Sequence, residues 1–219
     1  PLKSDRADVE EARARLLTWD LRLAAASADA TLYVLWENAL LRRLAHGKIE
    51  RSLADDFAAR RKDVLVPALT RPSSAWFAGS PARARDGLML AALADAVGTA
   101  RARQADRVPP WGALHAALFR HPLAVTAAAR SRFNVGPFER GGYEETVMST
   151  GGVDPDRSVG ASLRVIIDVG EWDRSVATSA PGQSQWPASP HFADLARLWA
   201  AGEYFPLPFS DRAVQANVE

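Results

Sequence analysis

The sequence contains no cysteine. Disulfides, thiolate nucleophiles and cysteine-bound zinc are therefore excluded, while the compartment stays open, because the absence fits cytosol and periplasm alike. No apolar run approaches the ~20 residues that span a bilayer, so no membrane partner is expected. The opening PLKSDRADVE also lacks the apolar stretch of a signal peptide. Neither sign of charge dominates, with 27 Lys plus Arg against 26 Asp plus Glu and a net charge of +1. A nucleic-acid binder concentrates cations on one surface. Here the recurring Arg83, Arg85, Arg101, Arg103 and Arg107 are diluted by acids and alanines, and no nucleic-acid partner is expected. Methionine is missing from the first position, where Pro1 stands. The expectation is a processed product or a piece of a longer protein.

What is present suits a packed protein. The 219 residues are 47% hydrophobic and 24% charged, enough for one large domain or two small ones with a real core. The first part reads as helix. Val9, Ala12, Leu16 and Leu17 recur at helical spacing between Asp8 and Trp19. Ala28, Leu32, Leu35, Trp36, Ala39, Leu40 and Leu44 do so over a longer span. Such stripes bury one helix face. Ser27 is placed to cap the second helix and Gly47 to end it. Further helices are expected over Ile49–Arg60, from Pro81 to about Arg103, and over Trp111–Phe119.

After Pro122 the helical spacing is lost and glycines cluster at Gly136, Gly141, Gly142, Gly151 and Gly152. SLRVIIDV, Ser162 to Val169, alternates: Leu163, Val165, Ile167 and Val169 share one face. Arg174 to Ala180 is expected to run back as a second strand, and Thr146 to Thr150 is a weaker strand candidate. Helix returns over Asp194–Ala201 behind Ser189-Pro190, and again over Asp211–Asn217 behind Ser210. The fold class is α+β: a helix-rich first part, then a few antiparallel strands and terminal helices. The expected division is 1–122, mainly helical, and 123–219, a strand hairpin with C-terminal helices, as one structural unit of a longer protein. Two or three strands make a poor sheet alone and leave edges that need partners. They are expected to complete a larger sheet.

Candidate chemistry is sparse. His46, His115, His121 and His191 show no i, i+4 pair, and no calcium-loop pattern occurs; no metal site is expected. Ser184, His191 and Asp168 supply the ingredients of a nucleophilic triad, but triads are defined by geometry. The G-x-S-x-G elbow is absent, since Gly182-Gln183-Ser184 continues into Gln185-Trp186. Loop serines usually bond local backbone. GPFERGG, from Gly136 to Gly142, lacks the Lys-Ser/Thr ending of a phosphate loop.

The last stretch is more specific. GQSQWPASPHFADLARLWAAGEYFPLPFS, from Gly182 to Ser210, resembles the C-terminal end of the penicillin acylase family, which includes acyl-homoserine lactone acylases. The matching elements are Gly182-Gln183-Ser184, Ser189-Pro190-His191-Phe192, Trp199, Gly202-Glu203-Tyr204 and Pro206 to Ser210. SLRVIIDVGEWDRSVATSAPGQS resembles the family's last strand pair, FRHPL and GGYEETV the segment before it, and LLTWDLRLAAASADATLY its helical step. Two departures occur. Gln185 and Trp186 stand where the family's loop continues with glycine, and Phe192 where tyrosine is common.

The resemblance implies an N-terminal-nucleophile hydrolase with a four-layer α-β-β-α sandwich. A precursor cuts itself, and the new N-terminal serine of the larger chain attacks an amide with its own α-amino group as base. Backbone and an asparagine side chain stabilise the oxyanion. Those groups lie upstream of the matched region, so no catalytic residue is expected in this chain. It is expected to be the C-terminal part of the large chain, supplying scaffold and inactive alone. Gly182, Gln183, Ser184, Ser189 and His191 are expected to shape a loop or a pocket wall. The implied partners are the remainder of the precursor, namely the small chain and the first part of the large chain. The implied substrate is a small acylated amine such as a β-lactam or an acyl-homoserine lactone. The resemblance also implies a periplasmic or secreted location, no cofactor from this chain, and calcium, where such enzymes hold it, elsewhere. A stand-alone interaction module without activity is the competing expectation.

Overall fold

The computed structural model describes residues 2–60, 62–105, 107–144, 146–147, 150–151 and 159–218. The chain divides into two compact units, one of Pro1–Arg22 with Ser27–Trp111, the other of Leu23–Ala26 with Gly112–Glu219.

The first unit is helical. It contains α1 (Ala7–Thr18), α2 (Ala28–His46), α3 (Arg51–Arg60), α4 (Leu65–Thr70) and α5 (Pro81–Arg103). The α2 helix is its axis. Its buried residues, among them Leu32, Val34, Leu35, Leu40, Leu41 and Leu44, cover more than one face, as expected of a helix surrounded by others. Three hydrophobic clusters follow it along its length. Leu32 packs with Val9, Ala12, Leu93 and Val97. Leu40 and Leu41 pack with Ala58, Leu65 and Ala92. Leu44 packs with Ala68 and Phe77. Burying each such side chain stabilises the fold by about 1.5–3 kcal/mol. Small residues on the facing side of α5, Ala92, Ala96 and Ala100, are buried there and let the helices approach. The expected cap is present: the Ala30 N–H donates to Ser27 Oγ at 3.1 Å. Inside, the Thr31 hydroxyl donates to the Pro109 carbonyl at 2.8 Å, so this buried polar group is satisfied.

The second unit mixes short elements. A one-turn α6 (Trp111–Leu114) leads into β1 (Ala116–Phe119). The single helix expected over Trp111–Phe119 is thus a helical turn followed by a strand. The reason is a distant partner: β1 pairs antiparallel with β2 (Val135–Glu139) beyond α7 (Ala127–Phe133). β3 (Thr150–Gly151) pairs with β4 (Val159–Gly160). The strand expected over Thr146–Thr150 is described as strand only at Thr150, and Met148, Ser149 and Gly152 lie outside the described residues. A three-stranded antiparallel sheet runs in the order β5 (Leu163–Ile166), β6 (Val176–Ser179), β7 (Phe205–Pro206). Between β6 and β7 lies α8 (Asp194–Ala201), closed by Gly202 at φ 78°, a left-handed position that suits glycine. The chain ends in α9 (Asp211–Gln215), capped by Ser210 Oγ. Mixed helix and antiparallel strand is the architecture expected from the sequence.

Leu23–Ala26 is used by the second unit although α1 and α2 flank it. The Gly112 N–H donates to the Ala25 carbonyl and the Gly142 N–H to the Leu23 carbonyl, both at 2.7 Å. The approach is close enough to require glycine. A Cβ at Gly141 would lie 2.8 Å from the Leu23 carbonyl oxygen, and one at Gly112 would lie 3.0 Å from the Ala25 Cβ. Leu21, at φ 61°, starts this excursion. A left-handed leucine costs roughly 1–2 kcal/mol, which the packing must offset.

The strand β5 has an unusual orientation. Its Arg164 side chain donates to the Trp199 carbonyl of α8 at 2.7 Å, so the Arg164 face looks toward α8. Alternation then turns Leu163 and Val165 the other way. Both are exposed, at 59% and 43%, and so are Ile167 and Val169 beyond the strand end. The Leu163 and Val165 face is open, Ile166 on the Arg164 side is exposed as well at 54%, and among the described residues β5 is the edge of its sheet.

Candidate functional site

The sequence-predicted residues fall in the turn from β6 into α8. The N–H groups of Gln183 and Ser184 both donate to the His191 carbonyl, at 2.9 and 3.0 Å. Gly182 permits this closure, since a Cβ there would lie 2.7 Å from the Phe192 carbonyl carbon and oxygen. Ser184 Oγ accepts from the Trp186 N–H at 3.1 Å. Ser189 Oγ accepts from the His191 N–H at 3.1 Å and caps a single 3-10 turn, Pro190–Phe192. These are local side-chain-to-backbone contacts of the kind serines make in turns. The Gln183 residue is exposed.

The structure does not assemble the triad that the sequence permits. The His191 ring places Nδ1 2.9 Å from Asp194 Oδ2, in an exposed pair, and this contact holds the Asp194 carboxyl below its ordinary range. Asp168 Oδ1 instead accepts from the Gly170 and Glu171 N–H groups, both at 3.0 Å, and its other oxygen lies 3.5 Å from Arg174 Nε. Each member serves a different turn. Among the described residues no cluster of three or more His, Cys, Asp or Glu side chains can hold a metal. No helix among them is long and apolar enough to cross a membrane.

The sequence did not expose the centre of this unit. Trp199 is buried at 2%. Its indole N–H donates to the Ala161 carbonyl at 2.7 Å, and Phe119 meets its ring edge-on at 5.1 Å. The Arg140 guanidinium lies 3.9 Å over the same ring and donates to the Trp199 and Ala200 carbonyls at 2.6 and 2.8 Å. Those carbonyls end α8, where the helix dipole favours a cation. Burial, with the Arg164 charge nearby, pushes the Arg140 pKa down to about 10. Beside it, both ring nitrogens of buried His115 face carbonyls, Arg140 at 3.0 Å and Thr150 at 2.6 Å. A second anchor is Asp173. One oxygen accepts from the Phe209 and Ser210 N–H groups at 2.9 and 2.7 Å, and the other from the Ser210 hydroxyl at 2.6 Å. Those bonds hold its carboxyl below the ordinary range. These contacts bind segments far apart in sequence, which no local pattern announces.

Against the wall of the Gly182 turn lies a groove of about 810 Å³. The segments 118–123 and 181–187 form its sides, with Phe133, Val135 and Phe192. Among its described lining residues, Ser184 Oγ accepts from the Trp186 N–H and His121 Nδ1 from the Leu123 N–H.

Comparison with known proteins agrees with the terminal motifs. The model of the penicillin amidase family matches residues 2–216. A penicillin acylase 2 proenzyme of Pseudomonas sp. (strain SE83) is 33% identical over 214 residues, which is 92% of this chain and 27% of the relative. An acyl-homoserine lactone acylase of Pseudomonas aeruginosa is 26% identical, over 94% of this chain and 28% of the relative. A solved thermostable penicillin G acylase from Alcaligenes faecalis superposes with a TM-score of 0.49 at 15% identity, over 99% of this chain and 42% of that one. The chain spans just over a quarter of the length of these curated relatives. Matched from residue 2 to residue 216, the chain belongs to the penicillin amidase family.

Proposed function

We propose that this chain is the C-terminal scaffold of an amidohydrolase that releases the acyl group of acylated amines. The relatives named as acylases support the reaction class. The substrate range extends over β-lactam side chains or acyl-homoserine lactones. The nucleophile and oxyanion groups come from preceding sequence. The chain alone is inactive, and the complete enzyme works in the periplasm or outside the cell. The turn at Gly182, Gln183, Ser184, Ser189 and His191 acts through its shape, bringing the chain from β6 into α8.

The observation that carries the scaffold role is β5. A strand at the edge of its sheet among the described residues, with Leu163 and Val165 open to solvent, presents an apolar face. Both features call for a partner layer. In this reading the rest of the precursor supplies it, and residues 123–219 complete that larger sheet.

The test is the intact mass of the natural gene product. The expected result is a smaller chain together with a larger one that starts at a serine and contains this sequence, the pair hydrolysing acyl amides. A folded species of 23.7 kDa standing alone would overturn the reading and leave a module without catalysis.

A further inference from the structure

The groove beside the Gly182 turn has the size of a small-molecule site, since such sites run to roughly 300–1,000 Å³. Rings and aliphatic groups dominate its walls, among them Phe119, Phe133, Val135, Trp186 and Phe192. None of the described lining residues is an Asp or Glu. Arg120 lies on the same wall and is already engaged within the protein. What the groove offers a ligand is therefore rings and uncharged hydrogen-bonding groups.

Trp186 is 69% exposed, yet its backbone is fastened on both sides. Its N–H donates to Ser184 Oγ at 3.1 Å, and its carbonyl accepts from the Ser189 N–H at 2.9 Å. The indole itself has no ring or hydrogen-bond partner among the described residues. It is a stacking surface whose position is set before any ligand arrives, which lowers the ordering cost of binding.

His121 supplies a donor of defined direction. Its ring stacks on Phe133 with centroids 5.0 Å apart, and its backbone N–H donates to Asn134 Oδ1 at 3.0 Å. The Leu123 N–H donates to Nδ1 at 3.1 Å. Nδ1 is therefore the acceptor, and the neutral ring carries its proton on Nε2. No described residue accepts from Nε2. A donor left open among apolar walls complements an acceptor that carries no charge. An anion would have to shed its water against rings, with Arg120 already engaged.

The geometry points to a binding site for an uncharged aryl-alkyl carbonyl compound, its aromatic ring against Trp186 and Phe192 and its carbonyl oxygen accepting from His121 Nε2–H. The carbonyl satisfies the donor that the groove leaves open, and the ring buries apolar surface against the indole. The inference uses only the residues of the groove and does not depend on the hydrolytic reading.

Photolabelling of the full-length protein with benzophenone, an aryl ketone that crosslinks on irradiation, tests this. Adducts located by peptide mapping are expected within 118–123 and 181–192. Benzylacetone should displace the probe about fivefold better than hydrocinnamate, which has a similar shape and carries a charge. Benzylacetone holds no amide bond, so occupancy is read without turnover. Trp186→Ala should cut labelling of these peptides by about fivefold or more. His121→Phe keeps a ring on Phe133 and removes the donor. It should lower the ratio of benzylacetone to butylbenzene affinity by roughly fivefold, and His121→Gln should restore part of that ratio. Trp186 is exposed and His121 half-buried, so circular dichroism should show the fold retained in each variant. Adducts confined to other peptides would overturn the proposal. So would equal displacement by ketone and acid, or a ratio left unchanged by His121→Phe.

Discussion

In the helical unit, Leu32, Leu40 and Leu44 on one long helix each sit in an apolar cluster. Among the described residues of the second unit the largest fully buried side chains are Trp199 and Arg140, and they are joined by a guanidinium over an indole and by bonds to helix-end carbonyls. The first unit is built from non-directional burial, which tolerates small errors of position. The second depends on directional bonds between short elements, and each of those must find one partner. The same contrast appears outside. The apolar positions of α2 are enclosed, whereas those of β5 face solvent. A unit that encloses its apolar surface is self-sufficient in a way that a unit displaying it is not.

Substitutions can break that contrast. The largest effect is expected from Leu40→Ala, which empties a site exposed by only 1%. Chemical denaturation should show a loss of about 3 kcal/mol, confined to the helical unit. Arg140→Ala removes the cation at the end of α8 and one donor from each of the Trp199 and Ala200 carbonyls, of which the Trp199 carbonyl keeps Arg164. About 2–3 kcal/mol should be lost. Near-ultraviolet circular dichroism should report it as a change in the Trp199 environment. An equal loss in both units would show that the directional contacts are not local to the second.

Gly182→Ala pushes a methyl group into the Phe192 carbonyl. A cost of about 2 kcal/mol is expected, with faster hydrogen exchange at the Gln183 and Ser184 amides. The smallest effect concerns acid. The Asp173 carboxyl is held below its ordinary value by bonds from Ser210 and Phe209. Its folded-state pKa is thus lower than its unfolded one. The stability it contributes is complete above the unfolded value of about 4 and is lost as pH falls through the depressed value. Between about pH 5 and pH 2 the C-terminal residues 207–218 should therefore loosen first, and Asp173→Asn should flatten that dependence. Amide exchange at Phe209 and Ser210 measures it.

Legibility from sequence followed the same divide. α2 and α5 could be read because an apolar stripe, a cap and a terminating residue lie within one segment. β5 could be read from alternation and β6 as the strand that runs back from it, although pairing covers only Leu163–Ile166 and Val176–Ser179. What alternation did not reveal was that Leu163, Val165 and Ile166 would all stay exposed, while Arg164 reaches the end of α8. β1 read as helix because Ala116, Ala117 and Leu118 are good helix formers, and its partner β2 was hidden by Gly136 and Pro137. The terminal motifs identified the family, and their serines and histidine proved to be engaged in the turn itself. The Arg140–Trp199 contact joins residues 59 apart in sequence, beyond the reach of any periodicity.

The Leu23–Ala26 excursion has a consequence for synthesis. These residues leave the ribosome before α2, yet their partners Gly112 and Gly142 emerge only after α5. At roughly 5–20 residues per second, the segment waits seconds for its site while the helices on either side of it are free to close. A gene cut at Gly112 to make the second unit alone would yield a product missing an internal piece, with two glycine N–H groups deprived of their acceptors. The boundary between the units is a boundary in space, and no single cut in the chain reproduces it.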